Sequence, residues 1–135
     1  MKFVMSLELN LLAKMLIGFF FVYYGFSNCL QRKIIIDIMR QKKIPCASWV
    51  FYLGVITQTI CGMLIMLNQF LDISASILII FDIAAVFIFH RFWTFEGEIR
   101  RLNQIIFVSN LSVVIGALIL VADSNPLLFI IGLIS

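Results

Sequence analysis

The chain has 135 residues and a formal net charge of +3, and 63% of its residues are hydrophobic while 13% are charged. With a mean hydropathy of +1.12, this composition excludes a soluble domain with a polar surface. We therefore interpret residues 1–135 as a single integral membrane domain.

Four apolar runs follow one another, and each has the roughly 20 residues that a membrane-crossing helix needs. They predict helices at about 9–30, 47–67, 73–92 and 104–122. No strand-like alternation competes with them, and helices satisfy their own backbone hydrogen bonds inside hydrocarbon. The predicted fold class is all-α, an integral membrane four-helix bundle. The apolar run after Pro126 is only about nine residues long and is predicted to be an interfacial or re-entrant cap.

The first predicted helix carries a stripe of small and polar residues. Its members, at spacings of four, three, four and three, are Lys14, Gly18, Phe21, Gly25 and Asn28. These spacings place them on one face of a helix. Such a face is unsuited to lipid, and its small residues let a neighbouring helix approach closely. We therefore expect the stripe to pack against the other helices.

The other predicted helices have comparable stripes, so the interior of the bundle is expected to be partly polar. The second helix contributes Gly54, Gln58, Cys61, Gly62 and Ile65; the third contributes Ala75, Ile79, Asp82, Val86 and Phe89; the fourth contributes Asn103, Phe107, Asn110, Val114 and Ala117. Amides on facing helices can form hydrogen bonds across such an interface.

One carboxylate, Asp82, lies in the middle of the third apolar run. Counted from the predicted outer helix ends, Asp82 and Gln58 both lie about 13 Å deep and Lys14 starts about 8 Å deep. Because an isolated charge at that depth costs several kcal/mol, we expect either protonation or a Lys14–Asp82 ion pair, with Gln58 completing the hydrogen bonds. Three interpretations stay open: a neutralised polar pin that fixes packing, a binding or proton-handling site, or a wrong assignment of the helix face.

The single histidine, His90, lies at the inner end of the third helix beside Arg91, Phe92 and Trp93. An arginine among aromatic side chains is typical of an interfacial anchor, and a headgroup or ligand contact is the alternative. With one histidine and no cysteine-rich spacing around it, the sequence predicts no metal site. The three cysteines form no CxxC motif and are interpreted as small buried hydrophobic residues.

Basic residues are distributed very unevenly between the two sides of the predicted membrane domain. The two longer loops hold Arg32, Lys33, Arg40, Lys42, Lys43, Arg91, Arg100 and Arg101, whereas Lys2 stands alone on the other side. Cytoplasmic loops carry the basic excess, so both termini are predicted to lie outside. The basic clusters adjoin the membrane, where they attract anionic headgroups, and they include no recognisable nucleic-acid-binding module.

Several of these positions together resemble the DoxX-like family of small four-helix membrane proteins. That family's first helix usually has the order Arg, Gly, Gly, Lys, and the corresponding residues here are Lys14, Gly18, Tyr24–Gly25 and Asn28. Ile44–Pro45 is similar to the Gly-x-Pro loop of the family. Gln58 and Gly62 correspond to the Glu and the small residues of the family's second helix. The segment Phe89-His90-Arg91-Phe92-Trp93 resembles the His and Trp that end the family's third helix. The chain departs from the family at Lys14, Asn28 and Gln58, and it has Asp123-Ser124-Asn125-Pro126 in place of the closing Gly-Pro-Gly. Asp82 would supply from the third helix the charge lost at Gln58.

The resemblance implies a small subunit of a bacterial-type inner membrane that supports redox or quinone-linked chemistry. The family's best-described members are linked to thiosulfate oxidation with quinone as acceptor and to complexes with oxidative-stress enzymes. The resemblance makes a quinone a possible cofactor, and membrane or redox proteins possible partners. The apolar composition adds the lipid bilayer as a partner, and association with further copies of the chain is left open. The alternative is a non-catalytic carrier of a lipid or small hydrophobe, or a membrane scaffold that docks partners through its basic loops. The candidate ligand-binding residues are Lys14, Gln58, Asp82, His90 and Asn110. No catalytic residue is assigned.

Overall fold

The computed structural model describes residues 2–123, and within that range it contains helices and no strands. The α-helices are α1 (Lys2–Leu30), α2 (Arg32–Gln41), α3 (Ala47–Met66), α4 (Leu71–Phe89), α5 (Gly97–Ser109) and α6 (Ile115–Asp123). A 3₁₀ turn (Phe92–Thr94) follows α4, and a π-helical turn (Asn110–Val114) joins α5 to α6. Four segments are long and apolar enough to cross a membrane: Val4–Leu30, Ala47–Met66, Leu71–Thr94 and Gly97–Asp123. The predicted all-α fold with four spanning helices is confirmed.

The structure differs from the sequence prediction at the ends of the spans and in the first loop. The first helix already begins at Lys2 and the fourth span at Gly97, each about two turns earlier than predicted. The predicted loop after the first helix contains α2, whose charged residues mask its helical character in a hydropathy profile. The cap predicted after Pro126 lies outside the described residues.

The closest helix contact joins α1 to α3, and glycines make it possible. A Cβ atom added to Gly18 would collide with Met66 Cγ and would lie 2.5 Å from Gly62 O. A Cβ atom on Gly62 would lie 2.8 Å from Gly18 O, and one on Gly25 would collide with Thr59 Oγ1. These contacts bring the backbones of two antiparallel helices together, as small residues do in membrane interfaces.

The remaining spans pack around this pair in the order α1, α3, α4, α6, and α6 makes only slight contact with α1. One apolar core joins all four of these helices; its buried members are Phe21, Cys61, Ile65, Leu71, Ala75, Leu78, Val114, Leu118 and Val121. Hereafter the turn end of the bundle is the end with the α3–α4 turn at residues 67–70, and the loop end is the opposite end, which carries the basic loops.

A second apolar cluster lies toward the loop end and includes α2. The side chains of Ile36 and Met39, three positions apart on one face of α2, pack against Ala47, Phe51 and Val55 of α3. The charged residues of α2 point away from this contact and are exposed, and among them Arg40 forms a 3.3 Å salt bridge with Asp37. Burial of this face explains why α2 is helical although it is too polar and too short to span a membrane.

Candidate functional site

Lys14 is buried in the first helix, with 4% of its surface exposed. Its Nζ donates a 2.8 Å hydrogen bond to Asn68 Oδ1, a residue of the α3–α4 turn. Lys14 therefore lies level with the end of α3, at the turn end of the bundle. A hydrogen bond to an ammonium group is charge-assisted and about twice as strong as one between neutral groups.

The conformation of Asn68 explains why an asparagine is suited to this position. Its φ of 58° is left-handed, a conformation that asparagine tolerates better than most residues. The Asn68 N–H donates to Ile65 O at 3.0 Å and the Gln69 N–H donates to Leu64 O at 2.9 Å. This is the hydrogen-bond pattern of a Schellman C-cap. Asn68 thus ends α3 with its backbone and binds Lys14 with its side chain.

A cleft of about 100 Å³ lies beside Lys14, between α1 and α6, where these helices make little contact. Its lining residues are Asn10, Ala13, Lys14, Ile17, Ala117, Leu120 and Val121. Lys14 is the charged residue of this lining, and the α6 wall is apolar. The cleft therefore combines an apolar surface with one cation at the turn end.

Asp82 is 6% exposed, and its Oδ2 atom is buried without a hydrogen-bond partner among residues 2–123. The predicted Lys14–Asp82 ion pair is wrong, because the ammonium of Lys14 is directed to Asn68 and no salt bridge joins the two side chains. Lys14 is level with the α3–α4 turn, whereas Asp82 lies about 16 Å further along the axis of α4. That axial distance exceeds the reach of a lysine side chain.

Gln58 is also buried, and it too differs from its predicted role. Its Oε1 accepts a 3.4 Å hydrogen bond from Asn28 Nδ2 across the α1–α3 interface. The predicted hydrogen bond from Gln58 to the Lys14–Asp82 pair is therefore replaced by an amide pair between the two stripes. Its partner, Asn28, belongs to the polar stripe identified on the first helix.

Asn110 is the first residue of the π-helical turn, on the span that faces α4. Its Nδ2 donates to Ile106 O at 2.8 Å, within the same span. The Phe87–Phe107 ring contact at 5.2 Å sets the register between the two antiparallel spans. One helical turn further, that register places Asn110 about level with Asp82. The π turn thus occurs at the depth of the buried carboxylate, and such turns are frequent at functional sites.

His90 lies at the loop end, about 12 Å along α4 from Asp82. Its Nδ1 is 2.9 Å from Asn103 Oδ1, which ties the end of α4 to the start of the fourth span. The rings of Trp93 and Phe107, 5.7 Å apart, belong to an aromatic cluster next to this hydrogen bond. An aromatic cluster beside a polar contact at a helix end is typical of an interfacial anchor.

Comparison with protein families gives a match to the DoxX family model over residues 9–91. This match covers more than half of the chain and reaches from α1 to the end of α4. The chain belongs to the DoxX family. No curated protein and no solved structure matches the chain.

Positions of the first two spans that correspond to the family pattern meet each other in the structure. Gly18 contacts Gly62, and Asn28 and Gln58, where the chain departs from the usual residues, share a hydrogen bond, so all four positions lie in the α1–α3 interface. Together with four apolar helices, the family assigns a small membrane protein.

The candidate residues of this DoxX protein fall at three depths rather than in one site. Lys14 lies at the turn end, Gln58, Asp82 and Asn110 lie in the middle, and His90 lies at the loop end. Sequence reasoning missed Asn68, whose signal is an asparagine directly after an apolar helix. It also missed Ser74, whose Oγ is buried without a hydrogen-bond partner among residues 2–123.

The candidate metal ligands and the cysteines can be located in the described part of the chain. No group of three or more metal-ligating side chains occurs among residues 2–123. The three cysteines are free thiols, and the expectation that all are buried holds for Cys61 but is wrong for Cys46, which is exposed. Cys46 is the N-cap residue of α3 and has a left-handed conformation.

Proposed function

We propose that this DoxX-family protein binds a quinone in the α1–α6 cleft and thereby supports quinone-linked redox chemistry in a bacterial-type inner membrane. The observation that carries the proposal is the position of Lys14: a buried ammonium group beside an otherwise largely apolar cleft between two of the apolar spans. A quinone has the matching chemistry, since it combines an apolar ring and tail with carbonyl oxygens that accept hydrogen bonds.

Access to the cleft supports this assignment. α1 and α6 make the slightest contact of the neighbouring spans, so a molecule dissolved in the lipid can approach between them without crossing an aqueous phase. Small side chains on both walls, Ala13 and Ala117, leave room for a flat ring.

Asn68 gives the ammonium group a defined position. The 2.8 Å hydrogen bond fixes the end of a flexible side chain, so less conformational entropy is lost when a ligand binds there. A buried cation favours electron-rich oxygens because the low dielectric strengthens its interaction with them. In this proposal the protein holds the quinone, and a partner redox enzyme supplies the electrons and protons that convert it to quinol.

A lipid carrier is the second candidate, favoured by the predominance of apolar side chains in the cleft wall. A lipid with an anionic group would place that group at Lys14 and its chain along α6. Both candidates use the same cleft, so one experiment separates them.

The test is extraction of the protein purified in a mild detergent, followed by quantification of quinones and lipids. We expect near-stoichiometric quinone in the wild type and in Lys14→Arg, which keeps the charge, and a loss in Lys14→Met. Lys33→Met is the matched control, because Lys33 is exposed on α2, away from the cleft.

Two results would contradict quinone binding. One is equal quinone yield from the wild type and Lys14→Met when both melt at similar temperatures. The other is a stoichiometric lipid in place of quinone that is lost in Lys14→Met, which would establish the carrier instead.

A further inference from the structure

Two cations lie close together at the loop end, at the opposite end of the bundle from the cleft. Lys42 follows α2 and Arg91 follows α4, and both are half-buried. They flank one apolar cluster, since Ile44, two residues after Lys42, and Phe89, two residues before Arg91, both pack against it. The two loops therefore meet at this point.

The electrostatics agree with this placement. Burial lowers the pKa of Lys42, and the positive charge of Arg91 lowers it further. Two like charges in a partly desolvated place repel each other, and an anion between them removes that repulsion.

Among residues 2–123, no acidic side chain at the loop end neutralises the charges of Lys42 and Arg91 through a salt bridge. Among residues 2–123 the Nε atom of Arg91 is buried without a hydrogen-bond partner, and neither cation forms a salt bridge. Asp37 is engaged by Arg40, and Glu96 and Glu98 are exposed. A buried guanidinium donor of this kind requires an acceptor.

We propose that Lys42 and Arg91 form a binding site for a phosphate group at the loop end. The planar donor set of arginine matches phosphate oxygens in a two-point contact, and lysine adds a compact charge. The neighbouring surface suits the phosphate of a membrane lipid, because Ile44 and Phe89 lie beside the cations and Trp93 is 49% exposed next to Arg91. Apolar side chains there can contact the acyl chains below a headgroup, whereas a soluble phosphate would use the two cations alone.

The experiment measures binding of phosphatidylglycerol to the purified protein in a neutral detergent, by native mass spectrometry and by the lipid-induced rise in melting temperature. The test variant is Lys42→Gln with Arg91→Gln. Its matched control is Lys33→Gln with Arg101→Gln, which removes the same charge from exposed positions on the adjacent helices α2 and α5. We expect the control to lose affinity a few-fold, as diffuse charge does, and the test variant to lose about tenfold more.

Further measurements distinguish a lipid phosphate from free phosphate, and another variant is available if the double variant misfolds. Phosphatidylcholine tests the need for net negative charge, and inorganic phosphate at the same concentration tests a soluble ligand. A melting shift with phosphatidylglycerol alone supports a lipid site, and an equal shift with inorganic phosphate supports a phosphate site filled from solution. If the double variant does not fold, Arg91→Lys keeps the charge but loses the planar donor set, and we expect its affinity to fall several-fold.

Either of two results would overturn the proposal. One is an equal loss of affinity in the test and control variants, which would reduce the effect to surface charge. The other is an Arg91→Lys variant that binds phosphatidylglycerol as tightly as the wild type.

Discussion

Replacement of Asn68 by glycine tests the contact that distinguishes this structure from its sequence prediction. Glycine adopts the left-handed φ of 58° without strain, so the backbone cap of α3 is preserved. The Asn68 Oδ1 atom that accepts a hydrogen bond from Lys14 Nζ is lost. The substitution therefore separates the two roles of Asn68.

The expected magnitude follows from these two contributions. A hydrogen bond to a charged group contributes about 1.5–3 kcal/mol, and relief of the left-handed conformation returns at most about 1 kcal/mol. Asn68→Gly should therefore lower the free energy of unfolding by about 0.5–3 kcal/mol. Asn68→Ala loses the acceptor and also strains the cap, so its cost should be larger by about 1 kcal/mol.

The assay is thermal or denaturant unfolding in detergent of Asn68→Gly in two backgrounds, wild type and Lys14→Met. If the contact is as the structure shows, Asn68→Gly is destabilising in the first background and neutral or slightly stabilising in the second. Equal costs in both backgrounds would refute the contact. Asn68→Asp is a further check: it keeps an acceptor for the ammonium and should retain stability near that of the wild type.

Three further outcomes are expected. Gly18→Ala should lower the free energy of unfolding by about 1–3 kcal/mol, because the added Cβ would overlap α3. Gly116→Ala is the control and should be neutral, because the space around its Cβ is open. Similar melting temperatures of the two variants would refute the close approach of α1 and α3. Asp82→Asn should leave the melting temperature at pH 7 unchanged or raise it, since no cation pairs with Asp82 among residues 2–123; its effect should add to that of Lys14→Met, and strong non-additivity would restore the ion pair. Reporter fusions should place the C-terminus outside and a tag near Lys42 inside, and the reverse would overturn the orientation inferred from the basic loops.

Which candidate residues meet depends on how far each helix is shifted along its axis relative to its neighbour, and the sequence does not specify this shift. The count that placed Lys14 near Asp82 took the predicted end of each helix as a common membrane surface. In the structure α1 extends beyond α3 at the turn end, so Lys14 meets the α3–α4 turn. The same offset brings Asn28 level with Gln58.

The amphipathic helix α2 is a second feature that a hydropathy profile of the sequence does not reveal. Charged residues at both ends of α2 and at Asp37 interrupt its apolar residues, so no run long enough to span a membrane appears, yet the side chains of Ile36 and Met39 are buried against α3. A search for three- and four-residue spacing would find this helix. The partner of its apolar face would still be unknown.

By itself the sequence determined the class of the protein, the number of its spans and the inward faces of its helices. Long apolar runs require helices in a membrane, and the spacing of Lys14, Gly18, Phe21 and Gly25 identifies a face that is indeed buried. Only the tertiary structure decided which polar groups meet. Helix contacts depend on the axial shift and rotation of each helix, and here the close approach of Gly18 to Gly62 sets that shift. A one-turn change would move every polar side chain by about 5.4 Å and exchange its partner.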